Sequence, residues 1–89
     1  MEYKDLLDEG FKKKGLTLRE AVILLQENAN IQINYSYLSK LRSGNKSPAS
    51  DKVNDALAQI LNIDPLDLRT AAYREKIPPE VLKRLCTSA

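Results

Sequence analysis

The chain has 89 residues and a formal net charge of +2, and 43% of its residues are hydrophobic. This length supports one small domain with a single compact core. Histidine is absent and cysteine occurs once, which excludes an internal disulfide, a His-ligated metal site and a nucleophile activated by histidine. Since stability must then come from packing alone, a reducing, cytoplasmic compartment is expected.

A membrane location is not expected. The longest unbroken apolar run, Ala21 to Leu25, is far shorter than the roughly 20 residues that a membrane-spanning helix needs. The N-terminal residues carry acids and have no signal-peptide pattern, so export is not expected either.

The first half of the chain has the spacing of two helices. Apolar residues on one stripe predict a first helix from Tyr3 to about Lys13, which ends before Gly15. Thr17-Leu18-Arg19-Glu20 has the pattern of a capping box, so a second helix is predicted over about 18–28. The alternating residues 31–33 have no partner strand, and we expect them to be turn residues that fill the core.

Three more helices and a short final one are predicted. Asn34 is a suitable N-cap for a third helix over about 35–43, closed by Gly44. Ser50 is the expected cap of a fourth, core-facing helix, and Asp64-Pro65 the start of a fifth. We expect a domain over residues 1–76, and a short C-terminal helix and tail over 77–89 in which Val81, Leu82 and Leu85 form an apolar edge.

The third helix has two different faces. Tyr37, Leu38 and Leu41 fall on one side, and the opposite side is small, polar and basic, with Ser36, Ser39, Lys40 and Ser43. Such a face suits a DNA major groove, where hydroxyls and ammonium groups reach base edges and phosphates. The alternative is an ordinary solvated surface.

Charge is unevenly distributed along the sequence. Residues 10–50 carry seven Lys or Arg against two acids, whereas the remaining residues carry seven against ten. A polarised molecule turns its basic side toward a polyanion. On charge alone, this interpretation and chance clustering are equally supported.

Several motifs occur together in a fixed order. They are the Thr17–Glu20 box, the Asn34–Leu41 segment closed by Gly44, the polar loop ending at Pro48, Leu61-Asn62-Ile63, and Asp64 to Leu68. Over roughly residues 16–85 this order resembles the lambda Cro and repressor type of helix-turn-helix protein, often called Xre-like. The resemblance implies an all-α fold, a compact five-helix lambda-repressor-like domain plus a short C-terminal helix.

The resemblance also assigns contact residues by position. Base contacts fall on Tyr35, Ser36, Ser39 and Lys40, and phosphate contacts on Thr17, Arg19, Ser43, Asn45 and Lys46. Three features depart from the family. Leu18 replaces a phosphate-contacting Gln, Arg42 stands where an acid is common and so removes a usual intramolecular partner, and the span from Thr17 to Asn34 is long, which predicts a longer second helix or a bulkier turn.

The implied function is sequence-specific binding of double-stranded DNA by a transcriptional regulator, a bacterial or phage repressor that occupies a palindromic operator as a homodimer. The C-terminal apolar edge either closes the core or forms the dimer seam. The alternative is a protein-interaction module on the same scaffold, an antitoxin or regulator-binding protein. Because the glycines are scattered and no metal-binding pattern occurs, neither a cofactor, a metal nor an enzymatic activity is expected.

Overall fold

The computed structural model describes residues 2–77, 80, 81 and 84. These residues form five α-helices and no β-strand: α1 (Tyr3–Lys14), α2 (Leu18–Ala29), α3 (Tyr35–Ser43), α4 (Asp51–Leu61) and α5 (Pro65–Lys76). The all-helical fold class is therefore confirmed for the described part of the chain. The predicted C-terminal helix falls mostly outside it and stays a prediction. None of the described helices is long and apolar enough to span a bilayer.

Side-chain caps determine where three of the helices begin. The Thr17 hydroxyl accepts from the Glu20 N–H, and the Glu20 carboxylate accepts from the Thr17 N–H, both at 3.1 Å. The Asn34 side chain accepts from the Tyr37 N–H at 2.7 Å, and Asp64 caps α5. These bonds satisfy N–H groups that the first helical turn leaves unpaired.

The N-cap position predicted for Ser50 is confirmed, but a side-chain capping bond is not. Ser50 occupies the N-cap position of α4, but its side chain makes no capping hydrogen bond. Asp51, in the first turn of α4, instead places a negative charge at the positive end of the helix dipole.

The long span before α3 is divided between helix and connection. α2 continues to Ala29, one residue past its predicted end, and five residues, 30–34, lead into α3. Asn30 ends α2 in the left-handed conformation with φ of 52°. Ile31 is buried and Ile33 packs partly against the core, as predicted for residues that fill it.

The core lies among all five helices. α1 packs against α3, α4 and α5, while α2 packs against α3 and α4. Leucines and small residues dominate the interior, with two aromatic rings from α1, Tyr3 and Phe11. On α4, Leu57 and Leu61 are buried as predicted, but Val53 and Ile60 are only partly buried at the edge.

A short polar network inside the core anchors the loop that follows α3. The Tyr3 hydroxyl donates to the Asn54 side-chain oxygen at 2.5 Å. The Asn54 amide donates to the Ala49 carbonyl at 2.9 Å, and the Lys76 ammonium donates to the same carbonyl at 3.0 Å. The loop is thereby tied to α1, α4 and α5. Burial of the Tyr3 phenol raises its pKa to about 12.

Candidate nucleic-acid interface

The first turns of α2 and α3 lie beside each other. The guanidinium carbon of Arg19 lies 5.9 Å from the centre of the Tyr35 ring, within the range of a cation–π contact. Since α2 also packs directly on α3, a phosphate-contact residue predicted on one helix adjoins a base-contact residue predicted on the other.

The outward face of α3 is set by what the helix buries. Leu38 and Leu41 are fully buried, and Tyr37 packs partly against the core. Of the four residues predicted to contact bases, Tyr35, Ser36 and Lys40 are exposed, whereas Ser39 is half-buried at the edge of the face. The helix therefore exposes three of the four side chains to solvent, with Tyr35 50% exposed.

The loop after α3 is held close to the end of that helix. Gly44 takes the left-handed conformation with φ of 84°, and the Asn45 N–H donates to the Lys40 carbonyl at 2.9 Å. The Ser43 hydroxyl donates to the same carbonyl at 3.2 Å and accepts from the Asn45 amide at 3.0 Å. The Asn45 amide nitrogen has a second N–H that these bonds do not use, so it can donate to a phosphate while it keeps its Ser43 contact.

Lys46 is the exposed cation of this loop. Just beyond it, Pro48 and Ala49 are buried, so the loop backbone is fixed on both sides of the lysine. At the start of α2, Thr17 accepts a capping bond and keeps its hydroxyl hydrogen as a donor. Arg19 is exposed within the first turn of α2.

Ion pairs reduce the charge difference that the sequence suggested. Asp8 pairs with Lys12 at 2.9 Å, and Glu9 pairs with Lys13 at 2.6 Å. Both acids stand just before the basic stretch, so counting residues 10–50 separately overstates its charge. By contrast, Arg19, Lys40 and Lys46 form no ion pair with any carboxylate that the structure describes. These three cations lie at the start of α2, on α3 and in its loop. Other exposed cations, including Lys52 on α4 and Arg74 on α5, also lack a described ion pair.

Arg42 has an intramolecular partner on α1 that the sequence did not predict. Its Nε donates to the Asp8 carboxylate of α1 at 3.0 Å, and its guanidinium carbon lies 5.0 Å from the centre of the Phe11 ring. Hydrogen bonds from Lys12 and Arg42 hold the pKa of Asp8 below its ordinary value. Asp8 and Arg42 are 34 positions apart, and no local sequence pattern predicts such a pairing.

The arrangement as a whole offers hydroxyl, ammonium and guanidinium donors on one side of two packed helices. Such donors bind phosphate and the acceptor edges of bases. Comparison of the chain with protein-family models, with curated proteins and with solved structures finds no match. Function is therefore inferred from the chemistry of α2, α3 and the loop after α3.

Proposed function

We propose that this protein is a sequence-specific double-stranded DNA-binding transcriptional regulator of the Xre-like helix-turn-helix type, a bacterial or phage repressor that acts by occupying its operator. The supporting observation is the adjacency of α2 and α3 at Arg19 and Tyr35, with the exposed donors of α3 and its basic loop alongside. A phosphate-binding helix end next to a polar helix face suits simultaneous contact with the backbone and the groove.

In this proposal α3 enters the major groove. Lys40 donates to guanine O6 or N7, and the Ser36 and Ser39 hydroxyls bond either donor or acceptor edges. The Tyr35 ring rests on a thymine methyl group. The half-buried position of Ser39 limits it to a base that approaches the edge of the face.

The remaining contacts set the position of the protein on the duplex. Thr17 and Arg19 bind phosphate at the start of α2, where free N–H groups and the helix dipole favour anions. Ser43, Asn45 and Lys46 bind phosphate from the loop. These contacts carry no sequence information by themselves.

A homodimer on a palindromic operator completes the proposal, because two-fold symmetry in the protein matches two half-sites in the DNA. The apolar edge formed by Val81, Leu82 and Leu85 is the proposed seam. Val81 is 48% exposed in the single chain, and the other two lie outside the described residues.

Two lysine variants separate base reading from phosphate binding. On a duplex selected from random sequence, Lys40→Ala should weaken binding and change the preferred base at one position, at a cost of about 1–3 kcal/mol. Lys46→Ala should weaken binding to all sequences alike and reduce the salt slope by about 1.

Arg74→Ala is the matched control, since Arg74 is an exposed cation on α5 beside Glu75, on a helix that packs mainly against α4 and α1. It should change neither base preference nor affinity beyond the general loss of one charge. An unchanged preference in Lys40→Ala would contradict the assignment of α3 as the recognition helix.

A protein-interaction module on the same scaffold is the second candidate. Ile23 on α2 and Leu66 on α5 are 54% and 69% exposed, and a large exposed apolar side chain is a common anchor in protein interfaces. Sedimentation of the purified protein and pull-down from native lysate test it. A strictly monomeric protein that retains no partner would count against this candidate. A repressor and an antitoxin role are compatible in one chain.

A further inference from the structure

Two basic side chains of α3 have opposite electrostatic surroundings. Lys40 is exposed and unpaired among the described carboxylates. Arg42, two residues further on, bonds to Asp8 of α1 at 3.0 Å and lies over the Phe11 ring, with 30% of its side chain exposed. One helix thus presents one cation to solvent and has the other held against α1.

We propose that Asp8 is a positioning residue for DNA recognition, which holds Arg42 against α1 and so keeps its charge away from phosphates and orients α3. This inference rests on the proposed function and adds to it a control of specificity. Among the described residues, no other side-chain hydrogen bond joins α1 to α3.

The physical reason is the difference between the two kinds of DNA contact. A cation on phosphate strengthens binding to every duplex, whereas a base contact strengthens binding to one sequence. A free arginine on α3 would therefore raise affinity for random DNA more than for the preferred site. Neutralising Arg42 within the fold preserves the ratio of affinity for the preferred site to affinity for random DNA.

Asp8 also pairs with Lys12, but that bond does not serve the same purpose. Lys12 stands four residues along the same helix, and 71% of its side chain is exposed. The pair is local to α1 and leaves α3 unaffected. Only the bond to Arg42 links Asp8 to the proposed recognition helix.

Asp8→Asn removes the carboxylate charge with little change in shape, and Asp67→Asn on α5 is the matched control because Asp67 is exposed and forms no described ion pair. With one added phosphate contact, Asp8→Asn should steepen the salt slope by about 0.9 and raise affinity for random duplex roughly fivefold at physiological salt. The ratio of selected-site to random-duplex affinity should fall in Asp8→Asn and not in Asp67→Asn.

Arg42→Gln provides the second arm, which decides the proposal even where Asp8→Asn fails to fold. In the otherwise unchanged protein it should leave the salt slope as it is, in contrast to Lys46→Ala. In the Asp8→Asn background it should return the slope and the random-duplex affinity to their original values. A purely structural role for Asp8 would move thermal stability and leave the salt slope alone.

The inference is overturned if Asp8→Asn matches Asp67→Asn in slope and specificity ratio, or if Arg42→Gln alone flattens the slope as much as Lys46→Ala does. A different result, no binding of the unchanged protein to any duplex at low salt, would instead overturn the proposed function itself.

Discussion

Tyr3 and Asn54 form a polar contact inside an otherwise apolar core. Both are 1% exposed, and the Tyr3 hydroxyl is the hydrogen-bond partner of the Asn54 side-chain oxygen. Replacing Tyr3 by Phe leaves the Asn54 oxygen without a partner in a place that water does not reach. A buried acceptor left unpaired costs about 1–3 kcal/mol, and urea unfolding at pH 7 should show that loss. Tyr73→Phe, which removes a surface hydrogen bond to Asp51, should change stability much less.

The same tyrosine gives stability a dependence on pH. Because the folded pKa of Tyr3, about 12, lies above that of the unfolded chain, only the unfolded state loses this proton as pH rises above 10. The contribution of the Tyr3 phenol to the free energy of unfolding is therefore fully present below pH 10. Between pH 10 and 12 that free energy falls by roughly 2–3 kcal/mol. Tyr3→Phe lacks that loss, so the stability difference between the two proteins should narrow over this range. A constant difference would show that the phenol ionises equally in both states.

Single residues also show what the sequence could not predict. The apolar stripe of the first helix predicted that Tyr3 is buried, but its partner lies 51 positions away. Asp8 and Arg42 are likewise far apart in the chain. Such pairings depend on how helices pack, and no local spacing encodes them. No local pattern therefore indicated the partner of Arg42.

Helix boundaries, by contrast, were largely predictable because they depend on neighbouring residues. Thr17, Asn34 and Asp64 cap the helices that they were predicted to cap. Gly44 ends α3 with a positive φ as expected. Ser50 lies at the N-cap position of α4 without a capping bond, because the identity of a residue at a cap position does not ensure that its side chain forms the hydrogen bond. The same local signals placed the end of α2 within one residue of Ala29.

The Asn34 side chain makes a capping hydrogen bond and the Ser50 side chain does not. This difference gives a test at the scale of the helix. Asn34→Ala removes the hydrogen bond to the Tyr37 N–H and should cost about 1 kcal/mol. Ser50→Ala is the control, and it should cost only a few tenths because that side chain makes no capping bond. Denaturant unfolding measures both. Faster amide exchange in the first turn of α3 should accompany the Asn34 change. Equal costs at the two positions would contradict the cap assignments.

The candidate site was predictable in its composition and less so in its charge. Periodicity placed Ser36 and Lys40 on an outward face, and both are exposed. It did not anticipate that Ser39 is half-buried, because the span of the apolar face depends on how α3 sits against its neighbours. Nor did it show that two acids in the middle of α1, Asp8 and Glu9, neutralise three of the basic side chains.

At the scale of the whole molecule, Arg19, Lys40 and Lys46 are exposed cations without a described ion pair where α2 begins and along α3 and its loop. Exposed cations also lie elsewhere, such as Lys52 on α4 and Arg74 on α5, so charge alone does not define the interface. In the proposed complex the first three face the phosphates. Base contacts then decide which sequence is retained.

Selection of bound sequences from random duplex DNA at two salt concentrations is the most direct test of DNA recognition by α3. We expect one enriched sequence with two related half-sites, bound with an affinity that falls steeply as salt rises. Absence of enrichment, or binding that does not respond to salt, would contradict DNA recognition by α3.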